Sequence, residues 1–125
     1  MSGLRPVLVV VLVVIAGSAS GGFQRSGQYP PQFPREGATK VLENERVVIW
    51  DVTYTKSQSQ PIHEHLQDFV AVTLQSGTRK ITNLDGTARE IEDKFGSATF
   101  TKKGAIHKEE GVSDVPTRKI FIWLK

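Results

Sequence analysis

From Thr39 to Lys125 no stretch repeats apolar side chains at the i, i+3, i+4, i+7 spacing by which a helix buries one face. Short runs of β-branched and aromatic residues alternate instead with Gly, Pro and Asp at turn positions. A chain patterned this way cannot build a helical bundle or the helix layers of an α/β sheet. It has to bury its apolar side chains between strands, and roughly nine short strands predict an all-β sandwich or barrel.

The strand candidates are Thr39 to Leu42, Arg46 to Tyr54, Pro61 to His65, Asp68 to Leu74, Thr78 to Asn83, Thr87 to Ile91, Ser97 to Thr101 and Thr117 to Leu124. A further segment starts at His107 as either a strand or a loop. Asp85-Gly86 predicts a type I′ hairpin turn between its flanking strands. Trp50, Trp123, Phe69, Phe100 and Phe121 are assigned to the core. The basic pairs Arg79-Lys80, Lys102-Lys103 and Arg118-Lys119 read as solvated strand edges and turns. No basic stripe is interleaved with aromatics, and the formal charge is only +3, which argues against nucleic acid as a partner.

Ahead of this region stand two segments of different character. Arg5, the apolar run Val7 to Ile15 and the small residues Ala16-Gly17-Ser18-Ala19-Ser20 together predict a signal peptide over residues 1–20. The run is short against the ~20 residues that cross a bilayer, so an uncleaved anchor is the weaker alternative. Export to the periplasm or beyond is expected, with no membrane association after cleavage. The chain has no cysteine, which rules out disulfides and attachment through a lipidated thiol. Residues 21–38, rich in Gly, Pro, Gln and Ser, form an arm that is mobile unless its aromatics Phe23, Tyr29 and Phe33 dock on the domain or on a neighbour. The barrel is expected over residues 39–125.

All three histidines fall in two short segments, His63-Glu64-His65 and Gly104-Ala105-Ile106-His107. Alternate residues of a strand share a face, so His63 and His65 project together and Glu64 projects away as a solvent-facing charge. A β-structure that folds back can bring His107 to them. Three imidazoles suit Fe, Mn, Ni, Cu or Zn as a divalent cation, and one carboxylate would complete the set while leaving positions open. Asp68 is the carboxylate at hand, provided the chain bends after His65. Glu109-Glu110 reads as a solvated edge, or as an acid set beside His107. Tyr54 and Gln67 are further candidates for lining a pocket.

The segment Pro61-Ile62-His63-Glu64-His65, Asp68 to Leu74 and Gly77 resembles the first motif of the cupins: His-x-His, a carboxylate and a closing Gly. Gly96 to His107, with Gly104 three residues before the histidine, is similar to the second, and Gly111, Asp114, Pro116 and Thr117 to Lys125 resemble the closing strand of small single-domain cupins. The likeness spans Thr39 to Lys125. It departs from the family at Phe69 and Val70, where the cupin Glu usually stands. It departs again at Lys102, in place of Pro, and at Gly111, in place of Asn. The resemblance implies a jelly-roll β-barrel with a pocket at its wider mouth and a metal held by His63, His65, His107 and Asp68. It also implies a small-molecule ligand or substrate and a homodimer. Three functions stay open: a metal-dependent enzyme, a non-catalytic binding module, and a dimerising structural barrel without metal. Enzymatic activity is left undecided.

Overall fold

The structure is a computed structural model that describes residues 28–58 and 60–125; the expected signal peptide and the first part of the arm lie outside the described residues. Nine strands follow in order: β1 (Ala38–Glu43), β2 (Val47–Tyr54), β3 (His63–Glu64), β4 (Phe69–Gln75), β5 (Gly77–Asn83), β6 (Ala88–Asp93), β7 (Ala98–Thr101), β8 (Ile106–Gly111) and β9 (Thr117–Leu124). They form two antiparallel sheets, β1-β2-β9-β4-β7 and β3-β8-β5-β6, an all-β jelly roll. The segment at His107 is strand. The hairpin at Asp85-Gly86 differs from the expected type I′ turn. Only Gly86 has a positive φ, +85°, and Gly86 N–H donates to the Asn83 carbonyl at 3.0 Å, which makes a three-residue loop of Leu84, Asp85 and Gly86.

The five-stranded sheet is organised by β2 and β9, which pair without a bulge from Val47↔Leu124 to Tyr54↔Thr117. Strict alternation along β2 turns Val48, Trp50, Val52 and Tyr54 inward. They meet Phe69, Ala71 and Phe121, with Trp123 at the margin. Phe100 departs from its expected core role: it sits on the edge strand β7 and is 57% exposed.

Part of the arm completes the barrel. Pro31 bridges to Glu64 in parallel, and Glu64 N–H donates to the Pro30 carbonyl at 2.9 Å, so this stretch pairs with the otherwise open edge of β3. The pairing buries Glu64, contrary to the solvent-facing role its alternation predicts. Phe33 follows and packs into the core on the five-stranded sheet, its ring 5.3–5.4 Å from those of Trp50, Phe121 and Trp123. The chain then enters β1. The arm thus joins the edge strand of one sheet to the edge strand of the other.

Two basic residues read as solvated are buried. Arg79 on β5 and Lys119 on β9 occupy inward positions, 6% and 3% exposed. Both pair with Asp93 at the end of β6: Arg79 through Nε and Nη2, Lys119 through Nζ at 2.7 Å. Paired charges can occupy an interior that would expel a lone one. Burial raises the Asp93 carboxyl, but the two cations outweigh it and hold the group below its ordinary pKa.

Candidate metal centre

His63 and His107 are direct cross-strand partners on β3 and β8. The pairing runs on past β3, with His65 N–H donating to the Ala105 carbonyl at 2.9 Å and Gly104 N–H to the His65 carbonyl at 2.7 Å. His65 therefore sits two residues along the same face, and the three imidazoles converge. The Nε2 atoms of His63 and His65 are 3.2 Å apart, those of His65 and His107 2.9 Å. Glu109 Oε1 lies 3.3 Å from His107 Nε2. These four donor atoms all fall within 4.8 Å of one another. Ligands held about 2.1 Å from one ion, at tetrahedral or octahedral angles, lie roughly 3.0–3.4 Å apart. The neighbouring spacings match that requirement, so the four side chains are fit to hold a cation.

The supporting contacts aim each ring. His63 Nδ1 faces the Pro61 carbonyl at 3.4 Å; a proton there leaves the Nε2 lone pair pointing into the cluster. His65 stacks on Phe69, with centroids 4.9 Å apart and planes 19° from parallel. Its Nδ1 is buried without a hydrogen-bond partner among the described residues, so on that side the stacking on Phe69 orients the ring. Burial pushes the pKa of His63 down to about 4 and that of His65 to about 3, with the nearby Glu109 charge opposing. Both rings are neutral at pH 7, as ligation requires.

Glu109 is held from both oxygens. Arg79 Nη1 donates to Oε1 at 3.2 Å; Tyr54 O–H donates to Oε2 at 2.7 Å and Gln32 Nε2 to the same oxygen at 3.4 Å. Burial raises this carboxyl, but the His107 contact and the Arg79 charge prevail and hold it well below the usual range. Burial and the Glu109 charge push the Tyr54 hydroxyl upward, so it stays protonated and donates.

The structure brings His63, His65 and His107 together and leaves Asp68 outside. Asp68 Oδ1 instead accepts the Lys103 N–H at 2.8 Å, tying down the turn between β7 and β8. The chain does not bend enough after His65 to turn Asp68 inward, and Phe69 takes the place against His65. Glu109, expected at a solvated edge or beside His107, is the carboxylate of the cluster. The alternation that pairs His63 with His65 also pairs His107 with Glu109, and it was available in the sequence. Tyr54 supports Glu109 rather than lining a pocket, and Gln67 lies elsewhere.

His65, His107 and Glu109 also line a cavity of about 490 Å³ between the sheets. Its wall includes Arg89 and Ile91 of β6 and Thr99, Phe100 and Thr101 of β7, the edge strands on the side away from the arm.

No family model and no curated protein matches the sequence. Solved structures do. A cupin domain from Bordetella pertussis Tohama I superposes with a TM-score of 0.65 at 23% identity, covering 74% of this chain and 98% of its own. An RmlC-like cupin family protein with a double-stranded β-helix fold, from Methanocaldococcus jannaschii, gives 0.58 at 12% identity over 74% and 85%. A DMSP lyase from Ruegeria pomeroyi gives 0.50 at 17% identity, over 66% of this chain and 40% of that one. With the sheet order described above, these likenesses identify the fold of this chain as that of a small single-domain cupin.

Proposed function

We propose that this domain binds a divalent transition metal through His63, His65, His107 and Glu109 and admits a small-molecule ligand to the adjoining cavity. The observation that carries the reading is the convergence of four donor atoms on one point, with three of the four side chains also lining the cavity. Three imidazoles and a carboxylate suit Fe, Mn, Ni, Cu or Zn. Such a cation would supply Lewis-acid chemistry, polarising a carbonyl or carboxylate or lowering the pKa of bound water. The chain's own part is to fix the ligands. The Pro61 carbonyl sets the His63 tautomer, Phe69 orients His65, and Tyr54, Gln32 and Arg79 hold Glu109 ionised.

Among the described residues of the cavity wall, Asp93 and Glu109 are the carboxylates, and cationic partners hold both below their ordinary pKa values. Neither is poised near neutral pH as a general base. That favours metal-centred chemistry or simple binding over acid–base catalysis by side chains. Titration with Co²⁺ tests the reading by NMR. Three histidine rings with paramagnetically shifted signals at one equivalent are expected; unshifted rings would overturn it.

A metal-free binding module is the second reading, favoured by one observation: Arg79, Tyr54 and Gln32 donate to both oxygens of Glu109, which satisfies that carboxylate without a cation. Two further proposals concern the chain's setting. The pattern of residues 1–20 supports export, which N-terminal sequencing of the protein from its native host tests by cleavage after residue 20 or its absence. Exposed Val41 and Leu42 on the edge strand β1 support a homodimer through that edge, and sedimentation as a monomer at all concentrations would refute it.

A further inference from the structure

We infer that the cavity takes a small organic anion, a carboxylate carried on an apolar body, and that Lys119 and Arg89 select its charge. The ligand's place beside the four donor residues rests on the reading above; its charge does not.

The argument begins with donors the protein leaves unused. Arg79 spends three of its five N–H donors, Nε and Nη2 on Asp93 and Nη1 on Glu109, and is bound to two carboxylates. Lys119 has more to spare. Its buried ammonium has three protons and, among the described residues, makes one hydrogen bond, to Asp93 Oδ1 at 2.7 Å, on the cavity wall. Asp93 is already shared with Arg79, so one carboxylate serves two cations. At the rim, on the edge strand β6, the Arg89 side chain has no hydrogen-bond or ion-pair partner among the described residues.

The cavity wall thus carries Arg79, Arg89 and Lys119 against Asp93 and Glu109, with His65 and His107 beside them. A buried cation without full compensation is costly, and an anionic ligand supplies what is missing. A cationic ligand would be repelled, and a neutral sugar would supply acceptors but no compensating charge. Beside Asn83, Thr99 and Thr101, the wall carries Phe69, Ala71, Ile81, Ile91 and Phe121, an apolar share that calls for a hydrocarbon or aromatic body.

Benzoate and its neutral counterpart benzamide are the probes, measured by calorimetry on chelator-treated and metal-reconstituted protein whose metal content is determined separately. Benzoate should bind about tenfold or more tightly than benzamide in both forms, the advantage of a charge-assisted hydrogen bond over a neutral one. Lys119→Met should cut that preference several-fold by removing that donor. If that variant fails to fold, Arg89→Gln at the rim carries the test, with a several-fold loss of benzoate affinity and unchanged benzamide affinity. Equal binding of the two probes, or no binding of either at millimolar concentration, would overturn the inference whatever the metal content. A preference seen only with metal and indifferent to both substitutions would also overturn it, by placing the carboxylate on the cation. A preference that persists without any metal uptake would uphold this inference while refuting the metal reading.

Discussion

The Tyr54 hydroxyl donates a 2.7 Å hydrogen bond to Glu109 Oε2 from across the barrel interior, linking the inward face of β2 to the strand that carries His107. Both residues are buried, so no water competes for the contact. The core of one sheet therefore sets the orientation of a candidate ligand on the other.

Tyr54→Phe keeps the ring in place and removes the donor. Partners of this kind contribute about 10–100-fold to metal affinity. The variant should fold normally and bind metal about tenfold or more weakly in competition with a chromogenic chelator. Unchanged affinity would mean that Arg79 and Gln32 suffice to hold the carboxylate.

Gly111 is the point at which β8 passes the end of β2. A Cβ there would stand 2.7 Å from the Tyr54 carbonyl carbon and oxygen, closer than atoms can pack. Gly111→Ala should cost about 1–3 kcal/mol by urea titration and weaken metal binding together with stability. A neutral substitution would show that the two strands separate without penalty.

Acid should weaken the metal-free fold. His63 and His65 have folded pKa values of about 4 and 3 against 6.5 unfolded. Between these limits the unfolded chain binds more protons, so stability falls as pH drops below about 6.5. The depressed carboxyls of Asp93 and Glu109 act in the same direction at lower pH, because their contribution is present above the unfolded values and lost as they protonate. Urea midpoints of the chelated protein should fall from pH 7.5 to pH 5. A flat profile would contradict neutral burial of the two rings.

Phe33 belongs to the arm yet stacks in the core against Trp123. Phe33→Ala should destabilise the domain by about 3–5 kcal/mol, the range for an aromatic ring lost from a packed interior. A cost below about 1 kcal/mol would mean that the arm is dispensable to the fold.

The strands were legible because burial imposes a two-residue period, and Thr117 to Leu124 was placed with the bounds the structure gives. The three histidines were legible by the same logic. Glu109 stood between two readings, a solvated edge and an acid beside His107, because two adjacent acids look like a solvated edge when their strand's inward face is unknown. Arg79 and Lys119 were misread because a charged residue at an inward position is recognisable only once its partner is known, and Asp93 is 14 and 26 residues away. The docking of Gln32 and Phe33 left no periodic trace, since the arm contributes isolated contacts rather than a repeating face.

Elemental analysis of the tag-free domain, purified without chelator, tests the central claim most directly. The account predicts about one equivalent of a transition metal. That metal should be retained in Asp68→Asn and lost in Glu109→Ala and His107→Ala, each shown to be folded by circular dichroism. Absence of metal after incubation with Fe, Mn, Ni, Cu and Zn would contradict it, and so would a metal that survives the loss of both His107 and Glu109.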